Sequence, residues 1–310
     1  MKTETILLGA GTKYPLNGIL TLPAKTDAPL PAVVFVHGSG ASNMDEKVGK
    51  LTPFKDLAEG LAAHGIASLR YDKRTFTHGM KLLKGKEPCT VKAETIEDAL
   101  LATELLRQDP RLDPKKVFLI GHSMGGMLAP RIDAEGGDYS GLILLAGSPR
   151  ALHEIMLEQN AEILPQVNKL LQWIVKKQIA KLSAAFAEID TISDEQAKKI
   201  KMGSGTTLYY FKEMNDHSAS SYLKKLQKPI LVLQGEKDFQ VKADKDFALY
   251  QQLLEGKPNA SFKLYKDLNH AFVPSVYGSI AKAKQEYNVE QHIGEEVISD
   301  IANWILAAAN

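Results

Sequence analysis

The sequence predicts an α/β fold built on a mostly parallel, doubly wound sheet, and three observations predict it. Short apolar runs such as Ala32-Val33-Val34-Phe35-Val36, Val117-Phe118-Leu119-Ile120 and Ile230-Leu231-Val232-Leu233 read as strands covered on both faces. Between most of these runs, apolar residues recur at helical spacing, and regular alternation of strand and helix implies crossovers and parallel pairing. Third, Gly121-His122-Ser123-Met124-Gly125-Gly126 sits directly between one such run and the helix-permissive Met127-Leu128-Ala129, which is a strand, sharp turn, helix junction.

Taken in order, residues 3 to 9 and 16 to 22 read as two short strands, with Asn17-Gly18 in the turn or bulge region between them, an antiparallel pair at one sheet edge. Gly9-Ala10-Gly11 lacks the third glycine and the helix of a dinucleotide fingerprint and reads as a strand-end turn. A connection with Pro23, Pro29 and Pro31 leads to the strand at 32–36, which ends in His37-Gly38-Ser39-Gly40. Phe54, Leu57, Ala58, Leu61 and Ala62 define a helix that Gly65 terminates, and Ile66 to Tyr71 is the next strand. A helix over Thr95 to Arg107, the strand at 117–120, a helix over Met124 to Glu135 and a strand at 142–146 continue the rhythm.

The rhythm breaks after Ser148-Pro149. Leu164, Val167, Leu170, Leu171, Ile174, Val175 and Ile179 recur at three-to-four spacing with many lysines opposite, so the α/β core of residues 1–149 and 227–310 is expected to be interrupted by a helical insertion over 150–226. The sheet resumes at Pro229 to Gly235, followed by a helix around Phe247 to Leu254, a strand at 262–265 and a terminal helix from about Val289 to Ala308.

Composition excludes several classes of function. In 310 residues, 24% charged and 44% hydrophobic, a net charge of +1 gives no reason to expect a nucleic acid or an anionic membrane as partner. Cys89 is the only cysteine, so neither an intramolecular disulfide nor a cysteine metal cluster can form. The N-terminal Met1-Lys2-Thr3-Glu4 is followed by no apolar core of signal-peptide length, and no run of 18 apolar residues occurs, so a cytoplasmic location is expected. Without H-E-x-x-H or a Walker-type lysine-threonine loop, neither a metal nor any cofactor is expected.

The chemistry concentrates at Ser123. A turn that exposes a serine in a sparsely populated backbone conformation needs residues without Cβ two before and two after it, which gives Gly121 and Gly125 a steric reason to be glycine. A serine hydroxyl is a poor nucleophile until a base takes its proton and a carboxylate orients that base. Downstream, Gln234-Gly235-Glu236-Lys237-Asp238 leaves one strand tip and Leu268-Asn269-His270 leaves another, so Asp238 and His270 complete the set. Glu236 and Asp267 compete as acids, but Asp238 has the better position past its turn. His217 and His292, placed in the insertion and in a helix, are weaker bases. His122 points away from the serine, and His37 braces its loop. The oxyanion needs two backbone N–H donors: Met124, after the serine, supplies one, and the second is expected from Ser39, with Gly38 as the alternative. Asp72 and Arg74 read as a loop-bracing ion pair.

These residues resemble the α/β-hydrolase superfamily, in particular single-chain bacterial esterases with a helical cap inserted after the sixth strand. The matching runs are His37 to Gly40 with Asp45-Glu46, Phe54 to Ala58, Arg70 to Arg74, Gly121 to Gly126 with Pro130-Arg131, Leu145 to Arg150, and Leu268 to His270. They span nearly all the chain except the insertion. One departure is that a glycine often follows the Tyr-Asp-Lys-Arg run in such esterases, whereas Thr75-Phe76-Thr77-His78-Gly79 stands here. The resemblance implies carboxylesterase chemistry by Ser123, Asp238 and His270, and a cap that shapes the substrate pocket.

The expected protein is therefore a cofactor-independent serine hydrolase acting on a small-molecule ester, with homo-oligomerisation left open. A serine aminopeptidase or acyl thioesterase on the same residues is the alternative, and a non-catalytic ligand-binding relative is the rival from another class. Trp173, Phe186, Tyr209, Tyr210 and Phe211 are candidates either for the pocket lining or for the core of the cap.

Overall fold

In the computed structural model, which describes residues 1–25, 28–83, 88–203 and 205–309, the apolar runs become the inner strands of one sheet. Its strands are β1 (Lys2–Leu8), β2 (Leu16–Leu22), β3 (Leu30–Val36), β4 (Ala67–Tyr71), β5 (Leu112–His122), β6 (Gly141–Leu145), β9 (Ile230–Gly235) and β10 (Ala260–Tyr265). They lie in the order β1-β2-β4-β3-β5-β6-β9-β10. β2 runs antiparallel to both β1 and β4, and the remaining pairs are parallel.

Side chains alternate between the two faces, as the two-residue period of a strand requires. Val33, Phe35, Phe118, Ile120, Ile143 and Leu145 pack against α1 (Pro53–Ala63) and α12 (Glu295–Ala308). Val34, Val36, Val117, Leu119, Leu142 and Leu144 point the other way, into a core shared with α3 (Glu97–Gln108) and α4 (Met124–Ile132). Helix α1 shows how sequence and packing agree. Pro53 occupies its first turn, where its missing N–H costs nothing, Phe54, Leu57, Ala58 and Leu61 are its buried stripe, and Gly65 follows at φ +83°.

The chain departs from the sequence expectation in several places. Asn17 and Gly18 are not in a turn: Gly18 pairs with Ile6 inside β2, where a Cβ would press on the Arg70 carbonyl at 2.9 Å, so its glycine serves close strand packing. The turn is made instead by Gly9 and Gly11, both with positive φ, with Thr12 N–H donating to the Gly9 carbonyl at 2.9 Å. An unexpected helix, α2 (Arg74–Leu83), follows β4 despite its threonines and glycine. Tertiary contacts override weak propensity there, because Arg74 is anchored on Asp98 and Glu97 of α3. The terminal helix starts at Glu295 rather than Val289. Asp56 of α1 accepts from Ile293 N–H at 3.1 Å and holds the His292 ring at 3.0 Å, which keeps that segment extended, and Glu295 and Glu296 then open the helix at its favourable end.

Between β6 and β9 the chain forms α5 (Leu152–Ile163), α6 (Lys169–Ala187), α7 (Asp194–Ala197), α8 (Leu208–Asp216) and α9 (Ala219–Lys225). A small antiparallel hairpin, β7 (Lys201–Gly203) with β8 (Thr206–Thr207), sits among them, a feature that no apolar alternation announced. The expected apolar stripe does not turn inward in α6: Leu170, Leu171 and Ile174 are exposed, as is Trp173 outside the stripe. After the sheet resumes, α10 (Ala248–Leu253) and α11 (Ala283–Tyr287) complete the helices. No helix among the described residues is long and apolar enough to cross a membrane.

Candidate active site

Ser123 sits between the end of β5 and the first residue of α4 with φ +53° and ψ −116°, a conformation a non-glycine residue adopts only under constraint. The constraint is visible on both sides. Ser123 N–H donates to the Leu145 carbonyl of β6 at 2.8 Å, and its carbonyl accepts from Met127 N–H at 3.1 Å in the first turn of α4. A Cβ on Gly121 would run into the Gly125 backbone, and one on Gly125 into the Val36 carbonyl, so both glycines are required by contact with main chain.

Asp238, three residues past β9, is 4% exposed and its carboxylate is fully engaged. Oδ1 accepts from the backbone N–H groups of Gln240 and Val241 at 2.7 and 2.9 Å; Oδ2 accepts from Gln234 Nε2 at 2.7 Å and from His270 Nδ1 at 2.7 Å. An ionised carboxylate can only accept, so Nδ1 carries a proton and the lone pair is left on Nε2. The rival acids are elsewhere: Glu236 and Asp267 are exposed. His217 pairs with Tyr222, and His292, exposed and outside any helix, corrects its expected helical placement. The loop that carries His270 is pinned by a residue the sequence did not single out. The buried Glu286 accepts from Asn269 Nδ2 and from Val276 N–H at 2.9 Å each, while Asn269 Oδ1 accepts from Ala271 N–H at 2.9 Å.

The two candidate backbone donors in the loop after β3 differ in what already holds them. Gly38 N–H is already spent on Glu46 Oε1 at 2.7 Å, whereas Ser39 N–H has no intramolecular acceptor among the described residues. The N–H of Met124 lies in the first helical turn, where no intrahelical partner exists. Glu46 Oε2 lies 3.0 Å from His122 Nδ1, off the line of a good hydrogen bond, so their attraction is chiefly that of charges. His122 Nε2 donates to the His270 carbonyl at 2.9 Å. Burial alone would push the Glu46 carboxyl up and the His122 imidazolium down, but each holds the other charged, and the net directions are the reverse. His37 behaves as the sequence suggested: burial lowers it to about 4, and its Nε2 is 3.0 Å from the Asn43 carbonyl, bracing the loop.

Asp72 and Arg74 do not pair with each other, correcting the expected ion pair. Asp72 accepts from Met44 N–H at 2.8 Å, and Arg74 binds Asp98 and Glu97. The residue between them, Lys73, is 1% exposed and contacts Gly38 and Glu94.

Two cavities meet at Ser123. The larger, about 660 Å³, runs under the segment between β6 and β9 and is walled by Met124, Met127, Leu152, Ile155, Tyr210 and Phe211. The smaller, about 210 Å³, is bordered by Ser39, His122, His270, Ala271 and Tyr287. Of the five aromatics singled out in the insertion, only Tyr210 and Phe211 line the larger cavity; Phe186 packs on Phe211, Tyr209 lies under Lys198, and Trp173 is exposed. Thr75 and Gly79, in the run that departs from the esterase pattern, also border it. So does Cys89, whose thiol burial pushes up to about 11, keeping it protonated and non-nucleophilic.

A sheet of this strand order, offering a strained serine at the tip of its fifth strand, defines an α/β-hydrolase. Residues 27–274 match the hydrolase family described as serine aminopeptidase, S33, and the chain belongs to that family. It is 33% identical over 292 residues to esterase EstD of Thermotoga maritima, a match covering 94% of this chain and 65% of that protein, so the chain spans less than two thirds of that relative's length. Among solved structures, the Pyrococcus furiosus esterase PF2001 aligns with a TM-score of 0.60 at 14% identity, over 100% of this chain and 92% of that one. Est1E from Butyrivibrio proteoclasticus aligns with a TM-score of 0.59 at 14% identity, over 98% of each chain. At that identity the likeness speaks to the fold.

Proposed function

We propose that this chain is a serine hydrolase that cleaves carboxylic esters through an acyl-enzyme, without a cofactor, with Ser123, His270 and Asp238 as its triad. The observation that carries the reading is the combination of a strained Ser123 with a buried His270 whose Nδ1 is held by Asp238 at 2.7 Å, both bordering one cavity. Ser123 Oγ attacks the ester carbonyl as His270 Nε2 takes its proton, and Asp238 stabilises the resulting imidazolium. The oxyanion is met by the N–H groups of Ser39 and Met124. Collapse expels the alcohol, protonated by His270, and a water molecule repeats the sequence on the acyl-enzyme. Because the proton is delivered to the leaving oxygen, the alcohol lies in the smaller cavity beside His270 and the acyl group in the larger one. Residues 150–226 act as the cap over that acyl cavity, and a cytoplasmic location accords with the single cysteine.

An aminopeptidase needs a carboxylate free to receive the substrate ammonium. Among the described residues, the acidic side chain bordering the larger cavity is Glu94, already bound to Lys73 at 3.1 Å, to Tyr210 OH at 2.6 Å and to Thr75 Oγ1 at 3.0 Å, which favours neutral esters. A panel of p-nitrophenyl esters from acetyl to dodecanoyl, set beside aminoacyl p-nitroanilides and acyl-CoAs, tests the reading. Turnover confined to anilides or thioesters would overturn it.

A further inference from the structure

We propose that Lys73 is a positioning residue that aims the oxyanion-binding N–H of Ser39, an inference that rests on the serine-hydrolase reading above. The β3–β4 register pairs Val34 with Leu69; continued by four residues, two past the ends of these parallel strands, it brings Gly38 level with Lys73. There Lys73 Nζ donates to the Gly38 carbonyl at 2.8 Å from a side chain that is almost wholly buried. The Gly38 carbonyl and the Ser39 N–H belong to one planar trans peptide, in which C=O and N–H point in opposite directions. Fixing the oxygen on Lys73 therefore fixes the direction of the N–H, in a residue that borders the same two cavities as Ser123. The lysine charge also polarises that peptide and makes its N–H a stronger donor.

The preceding peptide is fixed in the same way by an opposite charge, since Gly38 N–H is bound by Glu46 Oε1 at 2.7 Å. Two buried charged groups thus hold the two sides of a single glycine, whose lack of a side chain would otherwise leave it free to turn. Lys73 is in turn held by Glu94, and Glu94 by Tyr210 from α8, so the segment that covers the cavity reaches the oxyanion loop through three side chains. A purely structural ion pair would need Glu94 alone; the contact to the Gly38 carbonyl is what points to catalysis.

Removing Lys73 alone strands a buried carboxylate and threatens folding. The informative comparison is Lys73→Met with Glu94→Gln, which removes both charges, against Glu94→Gln alone, which keeps a lysine on the Gly38 carbonyl. Both are assayed on p-nitrophenyl acetate and with an aryl trifluoromethyl ketone, whose adduct with Ser123 places an oxyanion in the hole. The double variant is expected to lose roughly 10- to 100-fold in kcat relative to Glu94→Gln, less than the outright loss of a donor, with KM within about twofold. Its affinity for the ketone should fall by the same factor while its melting temperature matches that of Glu94→Gln. A double variant equal to Glu94→Gln in kcat and ketone affinity overturns the role assigned to Lys73. Failure of the underlying reading shows separately, in a wild-type chain that turns over no ester, and that outcome removes this inference with it.

Discussion

At the scale of single residues, the site is governed by how completely each charge is satisfied. Four hydrogen bonds converge on Asp238, so it is held in one orientation and holds His270 in one tautomer. Asp238→Asn should lower kcat by roughly 10⁴ through the wrong tautomer, while Glu236→Gln, on an exposed side chain, should be nearly silent in the same ester assay. The reverse ranking would move the acid. The Glu46–His122 pair makes a different kind of prediction. Glu46 is lowered in the fold, so its contribution is present above the unfolded glutamate value of about 4.3 and is lost as pH falls through the lower folded value. His122 is raised, so its contribution is present below about 6.5 and is lost as pH rises through the higher folded value. Thermal unfolding of the wild type against the uncharged double variant Glu46→Gln, His122→Gln should therefore show the largest wild-type advantage between about pH 4.3 and 6.5. A difference that stays flat across that window and beyond it on both sides would contradict the pairing. Ser123, Asp238 and His270 were legible because each is fixed by its own strand tip, a local signal. Lys73, Glu46, Glu94 and Glu286 were not, because what each does depends on a partner brought in by tertiary packing: Glu94, for example, meets Tyr210 from a separate helix.

At the scale of elements, the inner strands and the helical character of the chain between β6 and β9 were readable, and the detail of that segment was not. Runs buried on both faces carry an unambiguous apolar signature, and β3, β5, β6 and β9 all fall where that signature lies. Helix α2 and the β7–β8 hairpin carry no such pattern, since the first is held by Arg74 and the second is too short for alternation to register. In α6 the stripe residues Leu170, Leu171 and Ile174 are exposed, so period alone did not reveal which residues are core. The turn around Ser123 is held by close main-chain contacts. Gly125→Ala should cost about 1–3 kcal/mol by forcing a Cβ against the Val36 carbonyl, seen as a lowered melting temperature together with lost turnover. An alanine there with unchanged stability and activity would mean the turn is looser than described. The cavity wall separates two aromatics that sequence treated alike. Phe211→Ala should shift the preferred acyl length towards longer chains, whereas Tyr209→Ala, outside the lining, should leave the acyl-length profile as it was. Identical profiles for both variants and the wild type would reassign Phe211 to the core of the covering segment, which its contact with Phe186 already serves in part.

At the scale of the whole molecule, the candidate site gathers at one edge of the sheet. The carboxyl ends of β3, β4, β5, β9 and β10 lead to Gly38 and Ser39, Lys73, Ser123, Asp238 and His270 respectively, and the chain between β6 and β9 lies over the place where they converge. Arg150 fastens that segment to the sheet side, bonding Asp246 at 2.8 Å and Glu158 of α5 at 2.9 Å. On the function proposed above, this convergence activates Ser123. It is tested most directly by incubating the protein with a fluorophosphonate and locating the adduct by peptide mass spectrometry. Rapid, stoichiometric labelling of Ser123 is expected, abolished in Ser123→Ala and strongly slowed in Asp238→Asn. No labelling, or an adduct on any other residue, would contradict it.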